Sequence, residues 1–271
     1  MYTLIRAWSE KEGVQCRFPG PLQPLKKGGA SATGLCSWYH EYAKGGQGLW
    51  HLSFDLDGTI LDTTDLILKS FIHAFREGLG EDVSEDELIT HFGRPLPVQF
   101  RTMRPQLAPQ DIDKLVSIYR EHNESQHNLR VDVVPGADRA LRCLARKGYR
   151  LGIVTSKRQD MAERGLRLVG LQDLFDVIVH MDSTVRHKPH PEPVKHALAL
   201  MRGDSSRAVY VGDSPYDMMA GHAAGLRTLG LVHNTFREET LRRAGADAVV
   251  FDWDSVVSTL TAWTTSETTV L

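Results

Sequence analysis

The sequence predicts an α/β protein, a doubly wound parallel sheet with a bundle of helices inserted after its first strand. Three observations predict it. From residue 131 onward, short apolar runs alternate with helical stretches. That is the pattern of strands buried on both faces and joined by crossover helices. Residues 65–130 carry helical periodicity and no strand pattern. One apolar strand, "LWHLSF" at 49–54, stands ahead of that helical stretch. A helical segment placed there is a cap over the sheet. The expected architecture is therefore a Rossmann-like core, drawn from 48–64 and 131–255, with an inserted α-helical bundle cap over 65–130.

The elements follow in order. In "DLILKSFIHAFREGLG", Leu68, Phe71, Ile72, Phe75 and Leu79 share one helical face, and Gly80 is a C-terminal stop. "SEDELITHF" opens with Ser84 and carries Glu87 three residues later, a capping-box spacing. "HFGRPLPVQF" reads as a loop with a turn at Gly93 and Pro95. "PQDIDKLVSIYREHNESQHN" places Ile112, Leu115, Val116 and Tyr119 on another helical stripe. After "VVPGA", a helix from Ala137 to Lys147, closed by Gly148, leads to the strand "YRLGIVTS". A helix through Met161 to Leu168 leads to "FDVIVHM", and "PVKHALALM" leads to "AVYVGD". "YDMMAGHAAG" leads to "RTLGLVH", and "EETLRRAGA" to "AVVF". Residues 256–271 read as a C-terminal tail that frays at "TTSETTV".

The flank and the composition narrow the function. "RFPGPLQPLKKGGASATG" and "AKGGQG" hold neither helical nor strand period. Such composition buries too little apolar area to offset ordering entropy. Residues 1–47 are thus expected to be a disordered extension, or upstream sequence read from a wrongly chosen start; a regulatory or partner-binding segment is the alternative. The chain has 271 residues, 41% hydrophobic and 24% charged, enough for a sizeable core. A formal charge of −2 gives no reason to expect a nucleic acid or a membrane surface as partner. Cys16, Cys36 and Cys143 have no metal-ligand spacing and no even-numbered framework, which fits a reducing, cytoplasmic location. There is no apolar run long enough to span a bilayer, and no signal peptide is expected.

Ligands of open parallel sheets bind outside the carboxyl ends of the strands. The first strand ends in Asp55-Leu56-Asp57, "LGIVTS" in Thr155-Ser156, and "AVYVGD" in Asp213, with Asp217 four residues on. Lys188 lies in "HKPHPEP", the loop after "FDVIVHM". Each has a plainer reading. The two early aspartates fit a strand-ending turn, Thr155 a helix cap, Lys188 a solvated side chain, and Asp213 and Asp217 a cap and a first-turn acid. All of those readings would have to hold together at four strand ends, and one shared site explains them at once. Three crowded carboxylates repel unless a cation neutralises them, and hard oxygen ligands select Mg²⁺, which often binds a substrate phosphate too. A hydroxyl and an ammonium can hold phosphoryl oxygens. One carboxylate can attack phosphorus, and another beside the leaving oxygen can serve as general acid and then base.

"DLDGT", "VTS", "KPHPEP" and "GDSPYD", in this order and spacing, resemble the four motifs of haloacid-dehalogenase-type phosphohydrolases. The helical insertion resembles the α-helical cap of that family's first subclass. The resemblance covers residues 50 to about 255. It implies Asp55 as nucleophile and metal ligand, and Asp57 as acid/base that touches the metal through its backbone carbonyl. It implies Thr155, with a backbone N–H near Ser156, on the transferring phosphoryl group, and Lys188 as the neutralising cation. It implies Asp213 as a direct Mg²⁺ ligand and Asp217 as an outer member of the metal set. Asp57 matters, because family members that dehalogenate lack a second acid there.

The cap is expected to choose the substrate. Within "HFGRPLPVQF", Arg94 is either an anion clamp or an ordinary exposed turn residue. "LDTTDLILKSFIHAF", "GYRLGIVTSKRQDMAERGLRLVGLQDLFDVIV" and "KPHPEPV" resemble the family's inorganic pyrophosphatases more than its phosphoglycolate phosphatases. The partner expected from this is pyrophosphate or another small phosphorylated molecule. A phosphoglycolate or broad sugar-phosphate phosphatase is the alternative, and a β-phosphoglucomutase-like enzyme a weaker one. A non-catalytic binding protein on the same scaffold is the alternative of another class, disfavoured because an inert protein gains nothing from crowded carboxylates.

Overall fold

A computed structural model describes residues 49–266. The extension expected over 1–47 and the last five residues lie outside the described residues. Strand β1 (His51–Phe54) is followed by a short strand β2 (Leu61–Asp62). Four helices come next, α1 (Thr64–Leu79), α2 (Glu85–Ile89), α3 (Leu96–Met103) and α4 (Pro109–Arg130). β3 (Asp132–Val133) then pairs antiparallel with β2, Leu61 opposite Val133 and Asp62 opposite Asp132. The rest alternates: α5 (Ala137–Arg146), β4 (Arg150–Val154), α6 (Gln159–Leu168), β5 (Val177–Val179), α7 (Glu192–Leu200) and β6 (Ala208–Gly212). It closes with α8 (Pro215–Ala224), β7 (Arg227–Leu231), α9 (Glu238–Arg243), β8 (Ala248–Val250) and α10 (Trp253–Ser266). No described helix is long and apolar enough to cross a membrane.

Six parallel strands form one sheet in the order β5-β4-β1-β6-β7-β8. From β1 the chain builds outward through β4 and β5 on one side, then through β6, β7 and β8 on the other. The order thus reverses beside β1, the place where a crevice opens at the strands' carboxyl ends. β1 is buried at every position. Its Leu52 and Phe54 pack with Leu151, Ile153, Val209 and Val211 in the main core. Burying a side chain of that size stabilises by about 1.5–3 kcal/mol, so the strand that presents Asp55 is firmly anchored.

The helices between β2 and β3 have a core of their own, with Phe71, Phe75, Phe100, Ile112 and Leu115 at its centre. The Phe71 ring lies 5.0 Å from Phe100 and 4.8 Å from Tyr119, centroid to centroid. Gly80 ends α1 in the left-handed conformation; its N–H donates to the Arg76 carbonyl, and the Glu81 N–H to the Phe75 carbonyl. The short β2–β3 ladder stands at the root of this helical unit, where the chain leaves the sheet layer and returns.

Three expectations are corrected. The stretch "HFGRPLPVQF" is not wholly a loop, because α3 begins at Leu96 directly after Pro95. A proline in a first helical turn costs no intrahelical bond, and burial of Phe100 and Met103 draws the segment onto the cap core. The capping box at α2 is half made: the Ser84 hydroxyl accepts from Glu87 N, but the Glu87 carboxylate accepts from Arg104 Nη1 at 2.7 Å instead. The region read as a tail from 256 is helix α10, and the core continues through it. Val256 and Leu260 are fully buried, and the buried Trp253 donates its indole N–H to the Thr59 carbonyl at 3.1 Å. Its threonine-rich sequence hid a narrow apolar stripe of four-residue spacing.

Candidate active site

Asp55 directly follows β1, and its N–H donates to the Val211 carbonyl of β6 at 2.9 Å. Sheet pairing therefore continues to the residue whose carboxylate faces the crevice. Asp213 follows β6, Thr155 follows β4, and Lys188 comes from the loop between β5 and α7. All four are buried. The Lys188 Nζ lies 2.8 Å from Asp55 Oδ1 and 2.7 Å from Asp217 Oδ1. One ammonium thus ties a strand end to the first turn of a helix. Burial alone would push that ammonium down, but Asp217 and Asp55 beside it raise it, and it stays charged.

Asp217 has no acceptor position left. Its Oδ1 takes Lys188 Nζ and the Tyr210 hydroxyl, at 2.7 and 3.0 Å. Its Oδ2 takes the Ser214 N–H and hydroxyl, at 3.1 and 2.6 Å. Gly212 makes room, since a Cβ there would stand 2.5 Å from the Asp217 side chain. Asp217, expected as an outer member of the metal set, lies with Asp55 and Asp213 in one buried acidic group. Its lone pairs are spent on holding Lys188 and the Asp213–Ser214 turn. The plainer reading holds for Asp217, a first-turn acid of α8, but the N-cap is Ser214 and not Asp213, and Ser214 and Asp217 form the capping box.

Asp213 Oδ1 accepts from the Thr59 hydroxyl at 2.9 Å. Gly58, at φ +80°, packs against this carboxylate, and a Cβ there would stand 2.4 Å from Asp213 Oδ2. That contact is the physical reason for glycine in "DLDGT". Asp55, Asp213 and Asp217 each offer an oxygen within 4.8 Å of the others. Three carboxylates and one ammonium leave two negative charges unbalanced. Burial, and then the neighbouring Asp217, push the Asp55 carboxyl up to about 7; burial and Asp55 push Asp213 well above its usual range. A hard divalent cation is the partner that such a donor set lacks, and Mg²⁺ fits it.

The Asp55 and Asp213 carboxyls hold protons in the folded, metal-free protein at pH values where the unfolded chain has lost them. A cation must displace those protons, so its stabilising effect grows as pH rises through about 7. The difference in Tm between Mg²⁺ and EDTA should be small at pH 5.5 and clearly larger at pH 8. A difference independent of pH, measured by calorimetry, would refute cation binding at these carboxylates.

Asp57 stands apart from that cluster. Its Oδ1 accepts from the Thr63 hydroxyl at 2.8 Å and from Lys157 Nζ at 2.7 Å. Thr155 Oγ1 accepts from Lys157 N at 3.1 Å, which leaves its hydroxyl proton for a ligand. The Ser156 hydroxyl donates to the Gly93 carbonyl at 2.9 Å and so ties the sheet to the cap loop. Gly93 has φ +92°, and a Cβ there would stand 2.8 Å from Ser214 Oγ. Arg94 next to it lies over the Tyr216 ring at 4.7 Å, and it lines the same cavity as Asp55, Asp57 and Lys188. An exposed turn residue is therefore not its position. Sequence reasoning missed Thr59, Thr63, Lys157 and Tyr210. Lys157 carries a usable signal, as it directly follows Thr155-Ser156; a tyrosine inside a strand carries none.

A family model for haloacid dehalogenase-like hydrolases matches residues 52–231. The pyrophosphatase PpaX of Bacillus pumilus is 39% identical over 188 residues, 69% of this chain and 85% of the relative. The pyrophosphatase PpaX of Halalkalibacterium halodurans is 33% identical over 197 residues, 73% of this chain and 90% of the relative. The crystal structure of a hydrolase from Pseudomonas syringae shares the fold with a TM-score of 0.73 at 21% identity, covering 79% of this chain and 98% of that one.

Proposed function

This chain belongs to the haloacid dehalogenase-like hydrolases, and on that premise we propose that it is a Mg²⁺-dependent phosphohydrolase whose substrate is inorganic pyrophosphate. The observation that carries the reading is the Asp55–Lys188–Asp217 arrangement beside Asp213: a buried carboxylate held by an ammonium, next to an acid with an open oxygen. Asp55 and Asp213 would hold the cation, which supplies charge neutralisation of the phosphoryl group. With Oδ1 held by Lys188, Asp55 attacks phosphorus, the O–P bond forms, and the bridging P–O bond breaks to give an aspartyl-phosphate. The Thr155 hydroxyl donates to a phosphoryl oxygen, and the Lys188 ammonium offsets the charge that gathers there. Asp57 then takes a proton from the water that attacks the aspartyl-phosphate, and in the first step it can give one to a basic leaving group.

Pyrophosphate as the substrate rests on the PpaX relatives and on the cavity. Its volume is about 140 Å³. At ~30 Å³ per water in the liquid, that is the scale of a small anion and a few waters. Arg94 lines it from the cap and would bind the distal phosphate. The protein with Mg²⁺ is expected to show higher kcat/KM for pyrophosphate than for phosphoglycolate or glucose phosphates. Arg94→Ala should weaken pyrophosphate turnover by about tenfold or more, the scale of a lost charge-assisted bond, and aryl phosphate turnover less. Steady-state kinetics on one preparation decide it. A preference for phosphoglycolate would make that the substrate, and equal losses on both substrates would remove Arg94 from specificity.

A further inference from the structure

The cations that line the cavity differ in what they are already doing. Lys188 is shared between Asp55 and Asp217. Arg158 is held by Glu124 and Asp160, at 2.8 and 2.6 Å. Arg94 rests on the Tyr216 ring, and Arg120 joins the lining from α4. Lys157 is different. Its side chain is only 11% exposed, and its ammonium lies 2.7 Å from Asp57, the carboxylate assigned the proton transfers in the proposed function. Its own N–H donates to Thr155 Oγ1. One turn after β4 thus carries both the hydroxyl suited to the transferring phosphoryl group and an ammonium beside Asp57.

Resting on the pyrophosphate reading, we propose that Lys157 is a specificity-determining residue that binds the departing phosphate. It would favour leaving groups that carry their negative charge away with them. When Asp55 bonds to phosphorus, the electron pair of the breaking P–O bond goes to the bridging oxygen. A departing phosphate spreads that charge over several oxygens, which an ammonium can hold without a proton being transferred. A departing p-nitrophenolate spreads its charge into the ring and the distant nitro group, and a departing alcohol has one charged atom; neither offers the ammonium a second oxygen beside the bridging one. Lys157 acts on the departing phosphate, and the Asp57 proton is needed only for a basic alkoxide. The resting ion pair keeps the ammonium in place until an anion shares it.

The test compares wild type, Lys157→Met and Lys157→Arg with Mg²⁺ on pyrophosphate and on p-nitrophenyl phosphate. Binding of methylenediphosphonate, which is not cleaved at its bridge, is measured alongside by calorimetry. The Met variant should lose about 10²-fold in kcat/KM on pyrophosphate, the scale of one removed electrostatic stabiliser. It should lose less than about tenfold on the aryl ester, and its affinity for methylenediphosphonate should fall. The Arg variant should keep the preference for pyrophosphate. If the Met variant does not fold, Lys157→Gln replaces it. Equal losses on both substrates in an enzyme that prefers pyrophosphate would show that Lys157 only neutralises Asp57, and would overturn the proposal while the pyrophosphate reading stands. A wild type that prefers phosphomonoesters would overturn that reading, and this proposal with it.

Discussion

Asp55→Asn is expected to abolish turnover while leaving a folded protein that is no less stable without metal. An amide has nearly the size and shape of the carboxylate but cannot form the acyl phosphate. Loss of a nucleophile elsewhere costs on the order of 10⁴-fold or more, and a comparable fall, to background, is expected here. The stability half of the result has a separate cause. Asp55 is 5% exposed, with its carboxyl pushed up to about 7 from 3.8. Such a group stabilises the fold while protonated, and that contribution is lost as pH rises towards 7. At pH 8 in EDTA the ionised carboxylate is a burden, and the neutral amide removes it. The variant should melt at or above wild type there, and should gain less from Mg²⁺. Near-normal turnover would end the aspartyl-phosphate mechanism. A cooperative melt well below wild type in EDTA would show that the carboxylate's contact with Lys188 outweighs its burial.

Lys188→Met should have the largest effect on stability. The ammonium is 4% exposed, and it is the cation shared by Asp55 and Asp217. Removing one partner of a buried ion pair costs about 3–5 kcal/mol, because the remaining charges stay buried and unmatched. For a domain of this size that is a fall in Tm of roughly 6–20 °C. Turnover should fall to background as well, since among the described residues Lys188 is the one cation paired with Asp55. The carboxylates left behind can take up protons, so the loss should be smaller at pH 5.5 than at pH 8. Mg²⁺ should recover part of it. A melting temperature unchanged at pH 8 would mean that the Lys188 pairs carry no net stability.

The sheet and its cap were legible in the sequence because hydrophobic period is local. Apolar runs of strand length, helical stripes such as Leu68, Phe71 and Phe75, and stops such as Gly80 each declare themselves within a few residues. The strand ends then placed Asp55, Thr155 and Asp213 at one rim, with Lys188 beside them. α3 was missed where two prolines imitate a loop, and α10 where threonines dilute a narrow stripe.

What the sequence by itself determined is the set of groups on the rim and their order. Tertiary structure decided what each group is occupied with. Asp217 reads as an open carboxylate until Tyr210, Ser214 and Lys188 are seen to fill it. Asp57 reads as a neighbour of Asp55, yet its side chain belongs to Lys157, 100 residues along the chain. Trp253 holds the carbonyl of Thr59 across 194 residues. Hydrogen-bond capacity is spent on whichever group packing brings within about 3 Å. Over such separations no spacing in the sequence records which group that is.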